Sequence, residues 1–100
     1  MPATFQFEGF EPSPELKTFA KEVLWRAENR APSQSSVRAK LIKTGSGFIA
    51  KMKFASPVGH FSAETQKENP KEALNHLYKK IKAKFQDWKK SRVLNFIELQ

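Results

Sequence analysis

The stretch "VRAKLIKTGSGFIAKMKF", Val37 to Phe54, decides the fold. Val37, Ala39 and Leu41 alternate with Arg38, Lys40 and Ile42; beyond the turn residues "TGSG", Phe48, Ala50, Met52 and Phe54 alternate with Ile49, Lys51 and Lys53. Successive side chains of a strand point to opposite faces, so this period of two describes a β-hairpin with one apolar and one mainly basic face. Such a pair buries one side only, and that side needs a cover.

Downstream, "SPVG" supplies a second turn, and in "HFSAE" Phe61 and Ala63 continue the apolar side while His60, Ser62 and Glu64 continue the polar one. Upstream, Ala3, Phe5 and Phe7 alternate with Thr4, Gln6 and Glu8, a further half-buried strand closed by Gly9 and Pro12. Two helices supply the cover. In "SPELKTFAKEVLWRAEN", Ser13 suits an N-cap, Pro14 the first helical position, and Glu15 the positive end of the helix dipole. Leu16, Phe19, Ala20, Val23 and Ala27 form its apolar face, and "RAPSQSS" ends it as a loop.

The second helix starts at "ENPKEALNHL", with Asn69 as N-cap, Pro70 at the first position and Glu72 in the capping-box place. At about 100° per residue, Leu74, Leu77, Tyr78, Ile81, Phe85 and Trp88 share one arc. The order is β-α-β-β-β-α, which predicts an α+β fold: a two-layer sandwich with both helices packed on one face of a four-stranded sheet. Residues 1–92 read as a single domain. The apolar tail "VLNFIELQ", residues 93–100, either extends the helix, adds an edge strand or docks on a partner.

One hundred residues with nine Phe and no Cys make one small globular unit with no disulfide framework and no thiolate metal site. The start "MPATFQFEGF" has no secretory pattern and no window is apolar enough to span a membrane, so a cytoplasmic protein is expected. No Ser/His/Asp set, carboxylate pair or phosphate-binding Gly loop is apparent, and no Cys or second carboxylate stands at ligand spacing from His60 or His76. The expectation is a protein that is not an enzyme and has no cofactor and no metal.

The net charge of +8 favours an anionic partner. Its distribution is regional: from Asn29 to Ala63 there is no acid, while Arg30, Arg38, Lys40, Lys43, Lys51 and Lys53 fall inside that span. On the second helix Lys71, Lys79, Lys82, Lys89 and Lys90 lie along one flank of the apolar arc, and Lys80 and Lys84 along the other. Neighbouring lysines repel, which costs stability unless an anion approaches. A solubilising face remains the plain alternative, but together with the acid-free hairpin the pattern favours RNA, bound through phosphates and therefore strongly salt-dependent. Trp25 projects from the polar side of the first helix, either to pack under a loop or the tail or to stack on a base or partner.

The runs "EPSPELKTFAKEVLWRAEN" and "GFIAKMKFASPVGHFSAETQKENPKEALNHLYKKI" resemble the ribosome hibernation promoting factors and ribosome-associated inhibitor A. The likeness covers about residues 3–92, and its best-matching pieces are Gly47-Phe48, "SAE" at Ser62 to Glu64, and "ALNHLYKKI" at Ala73 to Ile81. It implies the same element order and a monomer bound to the small ribosomal subunit and its rRNA. There it would occupy the tRNA and mRNA channel and repress translation in stress or stationary phase.

The resemblance places Arg26 and Lys80 where the family carries basic residues, with Lys84, Lys90 and Arg92 continuing that side, whereas Val23, Ala83 and Asp87 stand where relatives often carry Lys or Arg. Arg38, Lys40, Lys51 and Lys53 form a second basic surface. Without the long C-terminal domain by which some relatives pair ribosomes, a short-form role is implied. Two alternatives stand beside this reading: a structured-RNA-binding domain acting off the ribosome, and a basic protein-interaction module that oligomerises through its tail.

Overall fold

The structure, a computed structural model, describes the backbone of residues 4–98 and the side chains of residues 4–91. The elements are β1 (Phe5–Glu8), α1 (Pro14–Arg30), β2 (Ser36–Thr44), β3 (Gly47–Ser56), β4 (Gly59–Lys67) and α2 (Pro70–Glu98). The α+β fold and the β-α-β-β-β-α order are those predicted; Ala3, the expected first residue of β1, lies outside the described residues.

The sheet has the order β1-β2-β3-β4. β1 runs parallel to β2, which requires a long crossover, and α1 provides it. β2, β3 and β4 form an antiparallel meander closed by two tight turns, with Thr44 opposite Gly47 and Ser56 opposite Gly59. At Gly47 a side chain has no room: a Cβ there would lie 2.5 Å from the Lys67 carbonyl oxygen and 2.9 Å from Glu68 Cα. The first hairpin turn thus packs directly onto the backbone leaving β4.

Both helix starts use the expected caps. The Leu16 backbone N–H donates to Ser13 Oγ at 3.1 Å, and those of Lys71 and Glu72 donate to Asn69 Oδ1 at 2.8 and 3.4 Å. α1 buries Leu16, Ala20, Val23, Leu24 and Ala27. Leu24 was not among the expected core residues; four positions after Ala20, it widens the apolar arc because α1 meets both α2 and the sheet. Phe19 is only partly buried.

α2 buries Ala73, Leu74, Leu77, Ile81 and Phe85 against β3 and β4. Phe85 is the pivot of that interface, with its ring 5.1 Å from Phe54 of β3 and 5.2 Å from Phe61 of β4, both edge to face. Trp88 extends the stack by packing 6.1 Å from Phe61. A second aromatic chain, Phe7–Phe10–Phe48, closes the other end at 6.0 and 5.1 Å. The helix continues to Glu98, so of the three fates open to the tail its described backbone takes helix extension.

Phe85→Ala should lower unfolding free energy by about 3–5 kcal/mol in urea denaturation, the range for truncating a buried aromatic ring. Gly47→Ala should cost about 1–3 kcal/mol by the same measurement, as an overpacked contact against backbone.

Candidate nucleic-acid interface

The helices cover one sheet face and leave the other open. Register places Arg38 directly opposite Lys53, and Lys40 directly opposite Lys51, on that open face. Directly opposed like charges destabilise a sheet unless something compensates them. For one pair the compensation is visible: Lys40 Nζ lies 3.2 Å from Glu8 Oε1, and Lys51 Nζ lies 3.2 Å from Glu64 Oε1. The face therefore carries two acids and the half-buried pair Ile42 and Ile49 as well as the expected basic residues.

The overhanging flank of α2 completes this surface. Alternate residues of the edge strand β4 turn their carbonyls away from β3, and two of these accept hydrogen bonds from α2 lysines. Lys80 Nζ donates to the Glu64 carbonyl at 2.9 Å, and Lys84 Nζ donates to that of Ser62. Lys84 thereby joins Arg38, Lys40, Lys51 and Lys53 around a shallow depression of about 600 Å³.

The remaining expected residues lie elsewhere. Arg26 is in the helix layer, beside Asn29, Arg30 and Tyr78 at a second, smaller depression, where Arg30 Nε donates to Tyr78 Oη at 2.9 Å. Arg30 was missed as a member of this cluster, although its spacing of four from Arg26 was legible as one helix face. Lys90 is exposed on α2, and the Arg92 side chain lies outside the described residues. The structure thus unites Lys84 with the sheet residues and separates both from Arg26. Trp25 is 64% exposed, which overturns its packing under a loop and leaves it available for contact.

Among the described residues no three His, Asp or Glu side chains converge as a metal site, and no helix is long and apolar enough to cross a membrane.

No protein-family model and no curated protein sequence matches the chain. Solved structures do. The N-terminal domain of Protein Y from Thermus thermophilus superposes with a TM-score of 0.71 at 11% identity, over 88% of this chain and 99% of that one. The chain is similar in fold to the Protein Y N-terminal domain. A ribosomal subunit interface protein from Coxiella burnetii gives a TM-score of 0.67 at 14% identity, over 86% of this chain and 97% of its own. These neighbours match the hibernation factor family that the sequence resembles. At such identities the likeness establishes the fold, and the two chains' surfaces are free to differ.

Glu64→Gln should release Lys51 and raise the salt concentration needed to elute the protein from heparin. It should change unfolding free energy by no more than about 0.5 kcal/mol, because the ion pair is exposed.

Proposed function

We propose that this chain is a ribosome-associated RNA-binding protein that occupies the tRNA and mRNA channel of the small subunit and represses translation during stress or stationary phase. The observation that carries the reading is the fold it shares, over 88% of its length, with the Protein Y N-terminal domain. The Coxiella neighbour, a ribosomal subunit interface protein, points to the same partner. Charge supports it further: the open sheet face and the β4 edge present Arg38, Lys53 and Lys84, with Lys40 and Lys51 held by exposed acids that a polyanion can displace. Arg26, Lys80, Lys90 and Arg92 supply further phosphate contacts from the helices.

The mechanism is steric. The domain has no reaction to perform; a rigid body in the channel excludes tRNA and mRNA, and its lysines and arginines hold it there by neutralising rRNA phosphates and releasing counterions. Such a protein acts in the cytoplasm and as a monomer.

Purified protein should co-sediment with small ribosomal subunits at low salt. For six to ten phosphate contacts, affinity should fall roughly 10³–10⁵-fold between 50 and 200 mM salt. Pre-bound mRNA with initiator tRNA should block this binding. Absence from ribosomal fractions at every salt concentration would refute the assignment, and equal affinity for a free RNA duplex would favour the off-ribosome reading.

A further inference from the structure

We propose that Arg38 and Lys53, with Ser62 and Lys84 beside them, form a discrete phosphate site on the open sheet face, at which the backbone of helical RNA docks. As an RNA contact the site deepens the ribosome reading and rests on it; as an anion site it can be tested alone.

The four residues meet through the sheet register. Arg38 on β2 is opposite Lys53 on β3, and Lys53 is opposite Ser62 on β4, so the three form one row across the sheet. Neighbouring strands lie about 4.8 Å apart, which sets the row at roughly 10 Å from first to last. Lys84 enters from the helix layer, over the sheet edge, with its ammonium donating to the Ser62 carbonyl. Three cationic side chains thus border one hydroxyl.

What distinguishes this row from the next is its missing counter-charge. Lys40 and Lys51 each have a carboxylate at 3.2 Å. The side chains of Arg38 and Lys53 have neither an ion pair nor a hydrogen bond among the described residues. A directly opposed like-charge pair left unneutralised opposes folding and is relieved by a bound anion.

The donor chemistry selects the anion. A guanidinium fork, two ammonium groups and a hydroxyl together match the several oxygens of a phosphate. The surroundings select the polymer: the residues of this face in the four strands include no Phe, Tyr or Trp, and the imidazole of His60 is the one ring among them, so a row of splayed bases has no continuous platform on which to stack. The site therefore reads a helical backbone and is indifferent to sequence.

Amide ¹H–¹⁵N spectra of the full chain titrated with inorganic phosphate provide the test. Arg38, Lys53 and Ser62 should shift together along one saturating curve, while Lys79 and Lys82 stay still. The Arg38→Gln/Lys53→Gln double variant should lose these shifts. It should also bind an RNA hairpin of roughly 16 base pairs about tenfold more weakly, with the salt slope reduced by about one. A Lys79→Gln/Lys82→Gln control should remain within about twofold of the parent.

Folding of the double variant is checked by its unfolding midpoint at low salt, which should not fall, because a repulsive pair has been removed. Phosphate shifts spread evenly over the basic residues, or a double variant with the parental salt slope, would overturn the site. Ribosome co-sedimentation with no localised phosphate shift sinks this site alone. Localised shifts without ribosome binding support the site and sink the ribosome reading.

Discussion

Phe85 sits between Phe54 and Phe61, with its ring edge to face against both, and the disposition of Lys80 and Lys84 on α2 follows from that contact. A helix presents its residues at fixed angles, so seating one bulky ring in the cleft between two strands fixes the helix rotation. With Phe85 inward, Lys84 and Lys80 are turned toward the edge of β4 and reach its outward carbonyls. Tyr78, on the other flank, meets Arg30 of α1. The core contact thereby sets Lys80 and Lys84 at the sheet edge and Tyr78 beside α1.

The arrangement at β4 serves two physical ends. An edge strand with bare carbonyls is a template for pairing with another chain, and lysine ammonium groups laid across it block that template. The same ammonium groups keep protons free for an incoming oxygen, because an ammonium has three donors and each carbonyl uses one. On the sheet face, Glu8 and Glu64 offset the charge of one cross-strand pair and leave the other uncompensated. Net charge describes neither effect, since both depend on which side chains are neighbours across strands.

Much of the fold was legible because local chemistry and tertiary packing agree. Alternation from Val37 to Phe54 specified the hairpin and its buried face, and Ser13 and Asn69 announced the two helices at the residues that cap them. Leu24 escaped notice because the extent of an apolar arc depends on how many neighbours the helix has. The fate of the tail was undecidable for a similar reason: its residues suit a helix, a strand or a docking segment, and the continuation of α2 was settled by the turns before it.

By itself the sequence determined the element order, the face that each strand buries, the helix starts and the regional basic charge. These properties are encoded within a few residues, by the alternation of strand side chains, the 3.6-residue turn of a helix and the hydrogen-bonding needs of helix ends. Tertiary structure alone decided the grouping of the charges. Arg38, Lys53, Ser62 and Lys84 become neighbours only when strand register and the seat of Phe85 bring them together across nearly half the chain. Linear spacing records neither, and so Arg26 and Lys84, placed in one set by resemblance, stand at different surfaces of the folded protein.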